Sequence, residues 1–408
     1  MKNLYEKFGM EKLINISGLT RQYNELKKEC YSTYLNGYRP AQQKNICGLF
    51  NIISSLLESK KEIIVFAVDA ISYEYFCKEI IPQIKYPDTK MGGPLSSVFP
   101  STSATCWASI LTNTLPSEHG IYGTSFTHEQ TGFNYIWHRN CFCDRDRIIQ
   151  NKYKNAKFNL VLTDKNIFQE LLNRGYNCYD IGHYFEKCES TPLITRLTKG
   201  AIRIQSDFEM ADLMENPEIV AEKCIHDIRQ ILERDKTRKM IWTYIDTDNF
   251  IHHYGYKQLT RNFDWEKIFS FWDDYYNEER AFIFLSDHGQ IRQKDVCWDV
   301  LKESKYCDKL RCNTGGAGRV LYFYPNQGEE EDAIKWIAEI VGNTGKIYNK
   351  QELVKYGLLR ENARCLERVG DLIAIGYEEN FPSTGQDYLF EHGSLSEQEM
   401  FVPIVVMA

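Results

Sequence analysis

Apolar residues fall along this chain in two rhythms. Ile46, Leu49, Phe50, Ile53, Leu56 and Leu57 recur at three- and four-residue intervals, the spacing of one helix face, and residues 1–60 read as a helical N-terminal extension. KEIIVFAVDA, ending in Asp69 and Ala70, is instead continuous, β-branched and apolar, as a strand covered on both faces is. Further short apolar runs follow: NLVLTD, MIWTYID, AFIFLSDHG, RVLYFYP, DLIAIGY and VPIVVM. Between several of them lie helical patterns, among them NPEIVAEKCIHDIRQILERD and EDAIKWIAEIV. Strands alternating with helices predict an α/β sandwich built on a largely parallel sheet.

Composition narrows the class. With 408 residues, 43% of them hydrophobic, the chain can bury a large core. Its formal charge of −7 offers no basic stripe for nucleic acid. The longest fully apolar runs, such as Ile63 to Val68, are too short to span a bilayer, and the first residues lack the charged start and apolar stretch of a secretory signal. A soluble, cytoplasmic protein is the expectation. Thirteen scattered cysteines then read as free, mostly buried thiols. Cys141 and Cys143 form the one close pair, and a zinc knuckle would need a second pair that does not follow.

Three of the strand-like runs, FAVDA, TYIDTD and FLSDHG, end in aspartate. In open parallel sheets, ligands bind beyond the carboxyl ends of the strands. One such aspartate is an ordinary turn residue; three, two of them followed closely by histidine, suggest convergence on a site. Asp248 and His252 stand four apart, with Gly255 three further on, and His392 precedes a glycine near the last apolar run. Asp69, Asp248, His252, Asp287, His288 and His392 together supply three nitrogen or oxygen ligands for each of two metal ions. His253 adjoins His252 and is expected to point elsewhere. Mixed imidazole and carboxylate ligands suit zinc best, with manganese the competitor.

A nucleophile is offered by SVFPSTSATCWASILTNTLPSEHGIYG, where Ser101, Thr102, Ser103 and Thr105 precede a helical pattern. A hydroxyl at a helix N-terminus is placed to receive an anion, though an N-cap role is the simpler reading of any one of them.

The order of Asp69, FPSTSAT with LPSEHGI, D-x-x-x-H-x-x-G, S-D-H-G and a late H-G resembles the alkaline phosphatase superfamily, and within it the type I phosphodiesterase/nucleotide pyrophosphatase family. The likeness runs from about residue 62 to the C-terminus. It implies a three-layer α/β/α sandwich over residues 61–408, with an inserted cap at about 124–235, and a hydrolase acting on phosphodiester bonds of a small-molecule substrate. By the same resemblance Ser103 is the attacking residue, with Thr102 the fallback. Asp248, His252 and His392 hold one metal; Asp69, Asp287 and His288 hold the other, which also contacts the Ser103 oxygen. Tyr244 and Asp246 match the lead-in to D-x-x-x-H, and His119 matches a motif belonging to the fold. Cys106 departs from the family, which usually has an asparagine there to hold a phosphoryl oxygen; a thiol is a weak donor. A phosphomutase or phosphomonoesterase outcome on the same site, or a non-catalytic binding protein, are the alternatives. Phe133, Tyr135 and Trp137 alternate in FNYIWHR and could stack a base or form a buried face. Arg139, Arg145 and Arg147 could meet an anion or lie in solvent.

Overall fold

The computed structural model describes residues 7–128, 133–137, 141–144, 147–148, 163, 165–182, 191–204, 215–293, 309–312, 314–382 and 388–408. Its central sheet has eight strands: β1 (Glu11–Lys12), β2 (Glu62–Val68), β3 (Met91–Ser96), β4 (Asn177–Ile181), β5 (Ile202–Ile204), β6 (Lys239–Ile245), β7 (Arg280–Leu285) and β8 (Phe401–Met407). They lie in the order β1-β3-β8-β7-β2-β6-β4-β5, parallel from β7 to β5 and antiparallel from β7 to β1.

The continuous apolar runs are explained by cover on both faces. Along β2, Ile64, Phe66 and Val68 enter one hydrophobic core while Ile63, Val65 and Ala67 enter another. β7 divides likewise, Phe282 and Phe284 against Ala281, Ile283 and Leu285. Successive strand side chains point to opposite faces, so each strand carries two cores. Helices complete the layers: α1 (Ile16–Cys30), α2 (Leu49–Leu56), α3 (Ser103–Thr112), α4 (Pro217–Arg234) and α5 (Asp248–Tyr254). Leu49, Ile52 and Ile53 of α2 share a core with Trp107, Ala108 and Leu111 of α3; Val220, Cys224 and Ile228 of α4 fill the opposite one.

A second sheet of eight short antiparallel strands runs from Gly345–Asn349 at one edge to Arg147–Ile148 at the other. The RVLYFYP and DLIAIGY runs belong to this sheet, as Val320–Phe323 and Leu372–Gly376, rather than to the central one. NLVLTD lies almost wholly outside the described residues.

Two segments are more integrated than their sequences suggest. The extension contributes β1, which pairs with β3, as well as α1, whose Leu19 and Leu26 enter the main core. Within 124–235, the stretch expected as a cap, Ser125–His128, Phe133–Ile136, Cys141–Asp144 and Arg147–Ile148 join the second sheet, while β4 and β5 extend the central one. A two-residue strand is too short to show a rhythm, and β4 (NCYDI) alternates buried with half-buried positions instead of running apolar. Tyr135 and Trp137 are buried and pack on Phe126, at centroid distances of 5.8 and 5.3 Å, so they form a core face. Arg139 and Arg145 lie outside the described residues.

Candidate active site

The parallel strands deliver their aspartates to one end of the sheet. Asp69 follows β2, Asp287 and His288 follow β7, and Asp248 opens α5 two residues after Asp246 at the end of β6. On α5, Asp248 and His252 are one turn apart and meet at 3.2 Å. Gly255 ends that helix with φ 75°, and a Cβ there would stand 2.4 Å from the Phe390 ring. His392 is brought in by a short ladder, Ile291–Arg292 against Phe390–Glu391, which ties the C-terminal segment to the loop after β7. Gly289 has no room for a side chain, since a Cβ would lie 2.1 Å from the carbonyl oxygen of Gln398.

Each of the three histidines is fixed by a backbone carbonyl. Nδ1 of His252 donates to Phe390 O at 2.7 Å, that of His288 to Gly289 O at 3.1 Å and that of His392 to Ser101 O at 3.0 Å. This turns every Nε2 toward the carboxylates. The Nε2 atoms of His252 and His392 gather with Asp248, and that of His288 gathers with Asp69 and Asp248. Asp287 Oδ2 is 3.3 Å from His288 Nε2, so all six expected ligands lie together. His253 belongs to neither group.

The carboxylates are held with one oxygen free. Asp69 Oδ2 accepts from Trp107 Nε1 at 3.1 Å and from the Tyr244 hydroxyl, and Asp287 Oδ1 accepts from Ala70 N at 3.2 Å. No N–H group among the described residues donates to the buried Asp69 Oδ1 or Asp287 Oδ2. Among the described residues, the ion-pair partners of Asp69, Asp248 and Asp287 are histidines. Burial, then the Asp248 charge, raises Asp69 to about 6. Burial and Asp69 raise Asp246 to about 7 and push Asp287 well up. Burial raises Asp248 too, but His252 and His392 outweigh it and hold it below the carboxylate range. Burial lowers His252, yet Asp248 lifts it to about 10, whereas burial and His392 drive His288 down. Dry, closely spaced carboxylates beside inward-facing imidazole nitrogens fit divalent cations, whose charge would relieve the mutual repulsion.

Ser103 is the first residue of α3, and its Oγ lies 3.1 Å from His288 Nε2. The neighbouring hydroxyls are placed differently. Ser101 Oγ donates to Ser394 O at 2.8 Å, Thr105 Oγ1 accepts from Gly123 N at 2.9 Å, and Thr102 Oγ1 is buried without a partner. Thr102 makes no side-chain cap, and the first bond of α3 runs from Cys106 N to Thr102 O, so the amides of residues 103–105 precede the helical ladder. A cavity of about 20 Å³ beside Ser103 is walled by Ala104, Trp107, Leu111, Leu193, Trp242 and Tyr244.

Cys106 is turned to the fold. Its Sγ meets Ser97 Oγ at 3.2 Å, and Ser97 in turn donates to Asp287 O at 2.7 Å. His119 is likewise internal, accepting from Ile121 N at Nδ1 (3.1 Å) and meeting Ser109 Oγ at Nε2 (2.9 Å). Trp107, Thr247, Tyr256 and Gln290 were not singled out by sequence, although Thr247 donates to Asp69 O and Gln290 to Asp248. None carries a spacing signal; each acts through a fold contact.

A mostly parallel sandwich with carboxylates and imidazoles converging beyond its strand ends defines an alkaline phosphatase-like enzyme. The chain belongs to the type I phosphodiesterase/nucleotide pyrophosphatase family, which residues 63–394 match. It is thus a hydrolase of phosphoric ester bonds. Solved structures with the same fold include phosphonoacetate hydrolase from Sinorhizobium meliloti 1021, at 16% identity and TM-score 0.57, covering 85% of this chain and 90% of that one. Murine ectonucleotide pyrophosphatase/phosphodiesterase 5 matches at 12% identity and TM-score 0.55, covering 84% of this chain and 87% of its own. The human counterpart gives 12% and 0.57, over 84% and 87%. No curated protein sequence matches the chain at a significant level. Among the described residues no helix is long and apolar enough to cross a membrane.

Proposed function

We propose that this protein is a two-metal phosphodiesterase or nucleotide pyrophosphatase that works through a phospho-Ser103 intermediate. The observation that carries this reading is the 3.1 Å approach of Ser103 Oγ to His288 Nε2 at the edge of the carboxylate–imidazole cluster. Asp248, His252 and His392 would hold one cation, and Asp69, Asp287 and His288 the other, next to the Ser103 oxygen. Zinc fits these ligands best, with manganese the alternative. The bound cations would supply positive charge that lowers the pKa of the serine hydroxyl and offsets charge on the phosphoryl oxygens.

The chain's own residues do the rest. Ser103 Oγ gives up its proton and attacks phosphorus, and its bond to phosphorus forms as the bond to the leaving oxygen breaks. The leaving oxygen departs with the electron pair and takes up a proton in its place. The amides of residues 103–105 are oriented to receive a non-bridging oxygen, which supplies the donor that Cys106 does not. Water then cleaves the Ser103–phosphorus bond and restores the hydroxyl. The wall beside Ser103 is largely apolar, with Trp107, Leu111, Leu193 and Trp242 in it.

Free thiols at Cys30, Cys47, Cys106, Cys178 and Cys224 support a reducing, cytoplasmic setting. The test is hydrolysis of bis-p-nitrophenyl phosphate and a panel of nucleotides and phosphonates by zinc- or manganese-loaded protein, with metal analysis of the same sample. Turnover of a diester with release of the cleaved products supports the reading. Transfer of the phosphoryl group back to substrate would make the protein a mutase, and bound metal with no turnover would make it a binding protein.

A further inference from the structure

We propose that Gln290 is a positioning residue that sets the carboxylate of Asp248, and that it does so as part of a bracket joining three ligand-bearing loops. The proposal rests on the metal-site reading above. Asp248 is the carboxylate common to both clusters, so its orientation governs both at once. Its Oδ2 faces His252 Nε2 at 3.2 Å, and its Oδ1 faces His392 Nε2 at 3.7 Å. Held only by α5, a short side chain at the first position of a helix has rotamers to spare. Gln290 removes that freedom. Its Nε2 donates both to Asp248 Oδ1 and, at 3.1 Å, to the Asp248 carbonyl oxygen, so side chain and backbone of one residue are held by a single amide.

Gln290 is itself fixed from behind. It is 1% exposed, and its backbone N–H donates to the Tyr256 hydroxyl at 2.9 Å. Tyr256 in turn donates its own hydroxyl hydrogen to Ala70 O at 2.8 Å. Ala70 stands in the left-handed region at φ 63°, a conformation a residue with a Cβ adopts at a cost of about 1 kcal/mol. In that conformation its N–H reaches Asp287 Oδ1 and its carbonyl faces Tyr256. The chain of bonds therefore runs from the loop after β2, which carries Asp69, through Tyr256, to the loop after β7, which carries Asp287 and His288, and on to Asp248 after β6. Residue 291, next in sequence, pairs with Glu391 beside His392. Three ligand-bearing segments thus meet at Gln290 or its immediate neighbour, and Tyr256 links the fourth, the loop after β2.

A carboxylate would not serve in its place. An ionised glutamate cannot donate, and would set a second negative charge against Asp248. Gln290 Oε1, buried and without a partner, is the cost of keeping the amide there, since the donor end faces the carboxylate.

Outer partners of metal ligands typically change metal affinity about 10–100-fold when removed. The test is competition of full-length protein with a fluorescent chelator for Zn²⁺ or Mn²⁺, with melting of the metal-free protein and kcat against metal concentration measured in parallel. Gln290→Met keeps the volume and loses the donor. It is expected to bind metal about 10–100-fold more weakly, to melt as the wild type does without metal, and to recover kcat when metal is raised in proportion. Gln290→Asn, one methylene shorter and still polar, cannot span to Asp248 and should show the same loss, which covers failure of the methionine variant to fold. Wild-type metal affinity in both variants would overturn the proposal, as would a fall in metal-free melting with affinity unchanged, which marks a packing residue. Failure of the wild type to bind either cation would instead sink the two-metal reading itself.

Discussion

Ser103 is one of four hydroxyls within five residues, and its surroundings separate it from the rest. Ser101 and Thr105 are occupied in holding backbone, and Thr102 Oγ1 reaches no partner among the described residues. Ser103→Ala should therefore cost several orders of magnitude in kcat while the protein keeps its metal, as removal of a covalent nucleophile does. Thr102→Ala and Thr105→Ala should retain most activity, the latter losing about 1 kcal/mol of stability for one hydrogen bond. Asp69→Ala and His392→Ala should deplete metal, so metal content sorts the two kinds of variant. His119 yields a separate expectation. Burial, helped by the Arg368 charge, lowers it from 6.5 to about 3, and both ring nitrogens are engaged in the neutral form. The unfolded chain binds the proton first, so this contribution is intact above pH 6.5 and is lost as pH falls toward 3. His119→Asn, which keeps an acceptor for Ile121 N, should flatten the pH dependence of urea unfolding over that range; an unchanged slope contradicts the assignment.

The helices and strands differ in how openly the sequence declares them. β2, β6 and β7 were legible because burial on both faces demands continuous apolar runs, and their terminal aspartates marked the ligand end. α4 was legible from Val220, Ala221, Cys224, Ile228 and Ile231, which recur at helical spacing and are buried. β3 was not. Met91–Ser96 contains Gly92, Gly93 and Pro94, which argue against a strand; pairing with β8 on one side and β1 on the other imposes it. Gln290 was illegible for a related reason, since its contact with Asp248 exists only once two loops have been folded together. That dependence predicts the role of the first residues. Deleting residues 1–30 would uncover the edge of β3 and strip Leu13, Leu19 and Leu26 from the core. The shortened chain should be largely insoluble; a soluble variant with wild-type melting would show that the extension is dispensable.

Over the whole molecule, the fold gathers several carboxylates into one buried place. Six candidate ligands from four separate segments converge on a buried cluster, where burial first and the neighbouring carboxylates second push the Asp69, Asp246 and Asp287 carboxyls up. Cations that bind only this assembled state should stabilise it by about 2.7 kcal/mol at 100 times their Kd. Chelation should lower the melting temperature and re-addition of zinc or manganese should restore it; a melting curve indifferent to chelator would mean that no ion is held there. The covalent step is tested most directly by acid-quenching the metal-loaded enzyme during turnover of a phosphodiester and mapping the phosphoryl group by peptide mass spectrometry. Phosphate on Ser103, absent from Ser103→Ala, is the predicted result. Phosphate on Thr102 would shift the nucleophile by one residue, and full turnover with no phosphorylated peptide would contradict a covalent mechanism.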